Sequence, residues 1–512
     1  MRRYALLLLL ALPLVAHAAP AGANQKTQLS IMMDDDQLLY EGAAARESTL
    51  QRMQAIGVDY VRVTVLWRNV AVGMQRSKRH RGADPKAYRP RGWDLYDGLV
   101  RAAKNYKIGV YFNVTGPGPK WYMGKPPRSE RKYADTWKPN PRAFGAFVKA
   151  TGRRYSGSYR DENEGRRKLP RVSFWSIFNE PNQAGWLTPQ YKGTTPWSPV
   201  MYRDLWYYGR RGLNQSGHKK DVVLIGETAP LGNSNTNAGS PVYPKRFITE
   251  FFCTNLDGAR LHGRSASRRR CKTLKRITPL DYTAWAHHPY TKKVSPKKRD
   301  SSRLSITMAN VGELGSLLDR IKVKRTGLAQ LNLTALTEFG YETNPPDPFS
   351  GISLAKQAEY INIGDHIAYS EPRVIANTQF LLRDGRGIGR YRKADKRHWF
   401  LYQSGLFTAK GKPKPAAIAY RFPLVITDKS PDTTSLWGWL RFLPRGVKTK
   451  IRMQFKPAGT KGYVNVGDPV DVTNPNGFFE TTQERGGPGT WRALFWNPYS
   501  GAIIGSREVK HS

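Results

Sequence analysis

From residue 29 to about residue 420 the chain alternates two hydrophobic patterns: short apolar runs, and longer stretches bearing an apolar stripe. The short runs are β-branched and aromatic and predict eight strands, at 29–33, 60–66, 108–113, 172–178, 222–226, 282–288, 333–337 and 374–381. Between them apolar residues recur every three or four positions, as in Leu95, Leu99, Val100 and Ala103, or Leu314, Leu317, Leu318 and Ile321. Such spacing gives each stretch one face to lay on a sheet. Strands that alternate with helices make a parallel α/β architecture, and eight of each close into a (β/α)8 TIM barrel. An open doubly wound sheet competes with it, but no glycine-rich phosphate turn follows the first run.

Beyond Phe422-Pro423 the pattern changes. Short strand-like runs at 435–442, 448–455, 463–466, 477–482 and 490–497 are separated by turns such as Pro444-Arg445-Gly446 and Asn474-Pro475-Asn476-Gly477. This spacing predicts a small C-terminal antiparallel β-sandwich, so the expected division is a barrel over residues 27–422 and an accessory domain over 424–512. Trp437, Trp439, Trp491 and Trp496 read as core of that domain before they read as sugar-stacking rings.

The polar residues that end the runs carry the chemistry. Asn179-Glu180-Pro181 follows the fourth run and Glu338-Phe339-Gly340 follows the seventh. A carboxylate at the carboxyl end of a barrel strand points into the mouth, and a pair of them is what hydrolysis of a glycosidic bond requires. Asn-Glu-Pro alone could start an ordinary helix, with proline as its first residue; the second glutamate on a later strand favours catalysis. Arg62, inside Val61-Arg62-Val63, needs a buried carboxylate, and Glu338 is the expected partner. His288 reads equally as a supporting residue or a substrate contact, while its neighbour His287 should face the helices. Asp34-Asp35-Asp36 and Glu227 end the first and fifth runs, where they could bind hydroxyls; the triplet also reads as a calcium site or a helix cap. Trp67, Trp121, Trp186, Phe339 and Tyr341 are candidates for a stacking floor, each as readily assigned to packing.

These residues resemble the glycoside hydrolases of clan A, barrel enzymes related to families 5 and 39. Members carry an Asn-Glu pair at the end of the fourth strand and a second glutamate at the end of the seventh, the places taken by Asn179-Glu180 and Glu338. Arg62 looks like the clan's buried arginine, and His288-Pro289-Tyr290 is similar to its His-x-Tyr element. The resemblance spans residues 27–422. It implies a retaining hydrolase with Glu180 as acid/base, Glu338 as nucleophile, and Arg62, His288 and Tyr290 beside them; no cofactor is expected, and Asn179, Trp67 and Glu227 are read from their places at strand ends as further substrate contacts. Arg62 and a hydrogen bond from Tyr290 would then keep Glu338 ionised while Glu180 holds the proton. The chain departs from many members after the eighth strand, where Gln379-Phe380-Leu381-Leu382 stands in place of a tryptophan. The alternative is a non-catalytic barrel that binds carbohydrate or cell envelope, against which the paired acids argue.

Charge and compartment add to this picture. Arg2 and Arg3 precede an apolar stretch over 5–16, and Ala16-His17-Ala18 is a small-x-small cleavage site, so residues 1–18 are expected to be a signal peptide and the mature chain to be exported. No later stretch is long and apolar enough to span a bilayer. Cys253 and Cys271 are the two cysteines, expected to form one disulfide whose loop closure stabilises by about 3 kcal/mol; no metal site is expected of two thiols without a histidine pair. The formal net charge of +44 admits an acidic or envelope-associated carbohydrate as partner, although a basic, solvated surface alone would also produce it. No nucleic-acid motif accompanies the basic clusters, so nucleic acid is not expected. Oligomeric state is not legible.

Overall fold

The computed structural model describes residues 28–75, 77, 81–498 and 500–511; the signal peptide expected over 1–18 lies outside them. Eight strands form the centre: β1 (Leu29–Met33), β2 (Tyr60–Leu66), β3 (Gly109–Thr115), β4 (Phe174–Ile177), β5 (Val222–Thr228), β6 (Ala284–His287), β7 (Thr334–Phe339) and β8 (Val374–Phe380). Each pairs in parallel with its neighbours in sequence, and β1 pairs with β8, so the sheet closes into a barrel and the doubly wound alternative is excluded. Each strand is followed by one principal helix: α1 (Ala43–Ala55), α2 (Asp94–Asn105), α3 (Pro141–Arg154), α4 (Ser198–Asn214), α5 (Pro244–Phe252), α6 (Gly312–Arg320), α7 (Leu354–Ser370) and α8 (Pro415–Arg421).

Period-two alternation divides each strand between two environments. Outward residues such as Val61, Val63, Phe112, Trp175 and Trp285 pack against the helices in the main core. Inward residues near the start of the strands, including Ile31, Tyr111, Phe174, Leu224 and Ala284, form a separate apolar plug inside the barrel. One step further along, the inward positions turn polar, with Arg62 on β2, Asn113 on β3, Ser176 on β4 and Thr337 on β7, all buried. The barrel interior therefore changes from oil to ions toward its carboxyl end.

After α8 the chain forms two antiparallel sheets. The smaller contains β9 (Leu424–Lys429), β10 (Thr434–Trp439) and β14 (Phe478–Gln483). The larger contains β11 (Thr449–Pro457), β12 (Val464–Asn465), β13 (Val470–Val472), β15 (Gly489–Trp496), β16 (Ile503–Gly505) and β17 (Val509–His511). Leu436, Met453, Phe455, Trp491 and Phe495 fill the space between them as one core. Trp437 and Trp439 are buried too, on the outer face of the smaller sheet, whereas Trp496 is 62% exposed.

That outer face packs on the barrel at the amino ends of its strands. Tyr369, near the end of α7, meets Trp437 at 5.3 Å and Phe478 at 4.8 Å. Buried Arg441 bonds Asp365 of α7 at 2.7 Å and Ser30 of β1 at 3.0 Å, and Arg445 bonds Asp59, just before β2, at 2.7 Å. Gly57 is required here: a Cβ on it would lie 1.9 Å from the Arg441 carbonyl oxygen. The sandwich is thus a base, on the face opposite the carboxyl ends of the strands.

Candidate active site

Glu180 lies three residues beyond β4, and Glu338 is the penultimate residue of β7. Alternation and the closure of the sheet bring them across one opening, with facing side-chain oxygens and the near ring nitrogen of His288 all within 4.8 Å of one another. Both acids reach solvent slightly, their side chains being 20% and 11% exposed, while His288 and Arg62 behind them are fully buried.

The buried pair holds the acids in place. Arg62 donates to Glu338 at 3.0 Å, to Glu227 at 3.1 Å and to the Asn179 Oδ1 at 2.8 Å. His288, immediately after β6, sets its Nδ1 2.9 Å from Glu180 and 3.6 Å from Glu338, and its Nε2 2.7 Å from Glu227. Tyr290 donates its hydroxyl to Glu338 at 3.2 Å. Glu227 also accepts from Thr337 at 2.8 Å and from the Tyr111 hydroxyl. Because Arg62 fixes the Asn179 carbonyl, the amide nitrogen is what Asn179 can offer to a sugar hydroxyl. The backbone around the acids is unusual: Phe178, Glu180 and Glu227 all have positive φ, at 71°, 35° and 50°. Non-glycine residues accept that conformation at a cost and are concentrated where function needs them.

No protein-family model matches this sequence, and comparison with curated proteins finds no match. Solved structures do match in shape. A family 39 glycoside hydrolase from Bacteroides cellulosilyticus is similar over 91% of this chain and 82% of its own, with a TM-score of 0.50 at 12% identity. A glucosidase from Croceicoccus marinus covers 96% and 92% with a TM-score of 0.48 at 12% identity, and a family 1 β-glucosidase from Thermotoga maritima 78% and 98% with 0.48 at 11%. The likeness is one of fold. It agrees with the barrel drawn from the hydrophobic pattern, and the site has to be read from its own residues.

Several expected contacts move. Trp67 is not at the mouth: it is fully buried, stacked on Tyr122 and Phe147 between barrel and helices. Phe339 and Tyr341 are likewise core, Trp186 is half-buried against it, and Trp121 lines a different cleft. Glu227, expected to bind hydroxyls, is wholly buried and engaged as the counter-ion of Arg62 and His288. Arg62 and His288 act on carboxylates and have no surface for sugar. Of the aspartates, Asp34 accepts from the backbone of Gln37 and Arg383, tying β1 to the loop after β8. Asp35, held by the Thr64 amide, is left half-buried beside the mouth, where burial pushes its carboxyl up to about 7. His287 turns away to Thr228 and the Ile306 carbonyl, as alternation requires.

Electrostatics refine the expected division of labour. Burial opposes a charge on His288, but Glu338, Glu180 and Glu227 outweigh it and raise the ring to about 10. Burial would raise Glu227 as well, yet Arg62 and His288 hold it well below the usual carboxylate range. Glu338 departs from expectation. Burial pushes it above its ordinary value, Glu180 adds to the push, and His288 and Arg62 pull back without prevailing. His288 Nδ1, 2.9 Å from Glu180 and 3.6 Å from Glu338, thus ties the two acids into one electrostatic cluster.

Sequence reasoning missed Tyr111, Thr337 and Tyr402. Alternation along β3 could have placed Tyr111 inside the barrel. Tyr402 left no such signal, since it sits deep in the loop after β8. Its ring lies 5.3 Å from Phe380, which in turn meets Tyr290 at 6.1 Å, and the charges of Glu180 and Glu338 are within reach of its hydroxyl. Phe380 and Tyr402 thus stand on the side of the opening where many clan members have a tryptophan.

Proposed function

We propose that this protein is an exported retaining glycoside hydrolase in which Glu338 attacks the anomeric carbon and Glu180 serves as acid and then base. The observation that carries this reading is the separation of the two acids, whose near oxygens lie within 4.8 Å across one barrel mouth. Retaining enzymes hold their carboxyl groups about 5–5.5 Å apart, whereas inverting ones need room for a water between them. In the first step the Glu338 carboxylate forms a bond to the anomeric carbon as the glycosidic bond breaks, and Glu180 gives its proton to the departing oxygen. In the second, Glu180 takes a proton from water, which displaces Glu338 and releases the sugar. His288 Nδ1, 2.9 Å from Glu180, holds the acid/base carboxyl in place. Arg62 and Tyr290 orient the Glu338 oxygens, and the Asn179 amide is placed for a hydroxyl next to the reacting carbon. The substrate is a carbohydrate, and the charged and apolar pattern of residues 1–18 supports a reaction outside the cytoplasm.

Incubation with a panel of 2-deoxy-2-fluoro glycosides followed by peptide mass mapping tests this. A sugar-sized adduct on Glu338 is the expected result and names the glycone as well. A broad panel that leaves Glu338 unlabelled, with Glu338→Gln and Glu180→Gln proteins indistinguishable from the parent in every hydrolysis assay, would replace the proposal with a carbohydrate-binding barrel.

A further inference from the structure

A cleft of about 790 Å³ opens apart from the acids, between the loops that follow β3, β4 and β5 and the first turns of α3 and α4. None of the residues that hold Glu180 and Glu338 lines it, and its size is that of a small-ligand site. Its walls are aromatic. Trp121 is 37% exposed and tilted 6.1 Å from Tyr122, and Trp137, Tyr191 and Trp197 complete the lining. Two ammonium groups lie beside these rings, Lys192 at 5.3 Å from Trp197 and Lys138 at 5.6 Å from Trp137. Asn140 and Asn237 have their carbonyl oxygens bound to the backbone amides of Arg142 and Gly239, so each offers its NH2 group. Of the two acids in the lining, Asp204 is already paired with Arg276.

Each group answers a part of one kind of ligand. A ring face takes the C–H face of a sugar, carboxamides take hydroxyls, and a cation beside a ring takes a carboxylate or sulfate. The net charge of +44 draws polyanions to the whole surface, and this cleft adds the geometry that bare charge lacks. We propose that the cleft binds a segment of an anionic polysaccharide, with Trp121 as the stacking ring and Lys138 and Lys192 facing its acidic groups. It would hold a chain near the enzyme without taking part in the cleavage.

The test is calorimetric titration of the full-length protein with carboxymethylcellulose, polygalacturonate and the neutral hydroxyethylcellulose, at moderate salt. At least one acidic polymer should bind more tightly than the neutral one. A Trp121→Ala, Trp197→Ala double variant should weaken that binding at least about tenfold, the usual effect of removing aromatic anchors, with Tm unchanged. Glu338→Gln should bind like the parent, so the result stands whether or not Glu338 proves to be the nucleophile. Equal affinity of the double variant and the parent would show that overall charge alone is responsible and overturn the proposal. So would equal affinity for the neutral polymer, or no binding of either acidic one.

Discussion

His288 is the residue through which Glu180 and Glu338 at the opening are coupled to buried Glu227, and its charge has measurable consequences. The ordinary imidazole value is 6.5 and the folded one about 10, so the charged ring stabilises the fold fully below 6.5 and that contribution is lost as pH rises through 10. Melting temperature measured from pH 6 to 10.5 should therefore fall with alkalinity, and His288→Gln should flatten the slope while lowering stability at neutral pH. A second expectation concerns the reaction. Glu338 must be ionised to attack, and burial raises it above 4.5, so the acidic limb of kcat/KM should lie above that value. Removing the positive charge in His288→Gln should move that limb higher still; a limb that stays put or moves down would contradict the assigned geometry. These roles were half legible. An arginine between valines announced a buried partner, but the sequence could not say that Glu227 shares it, since a strand-end glutamate looks the same whether it faces sugar or guanidinium.

At the scale of elements, the strands were readable because β-branched and aromatic runs have few other uses, and β1 and β2 fall at the expected bounds. In the second domain β10, β11, β12, β14 and β15 were foreseen, while β9, β13, β16 and β17 were not. Three of those four are only three residues long, too short to show a period. The loops are where reading failed. Tyr402 is 52% exposed with φ of 59°, and only the folded path of the loop after β8 brings it beside Phe380 and Tyr290. If this pair walls the sugar that is cleaved, Tyr402→Ala should lower kcat/KM by about tenfold, roughly 1.4 kcal/mol of transition-state stabilisation, with Tm little changed because the side chain is exposed. A variant as active as the parent on every substrate would remove Tyr402 from the site.

For the whole molecule, the boundary between catalytic mouth and supporting base is drawn by buried charge. Arg441 lies between Tyr420 and Trp439 at 3.8 Å from each ring and binds Asp365, which also accepts from Asn377. Arg441→Ala leaves that carboxylate buried with one neutral partner, and should destabilise the protein by about 3–5 kcal/mol, read in chemical denaturation, while fluoroglycoside labelling of the remaining folded protein proceeds at the parental rate. The hydrophobic pattern announced two architectures but not their docking, because Gly57, Ser30 and Asp59 look like ordinary turn and strand residues until Arg441 and Arg445 reach them. The docking also sets an orientation. With the sandwich fastened to the floor of the barrel, a molecule grafted to a support through exposed lysines of its larger sheet, Lys450 and Lys510, would keep its opening turned toward the medium, free to meet chains too large to diffuse into a matrix.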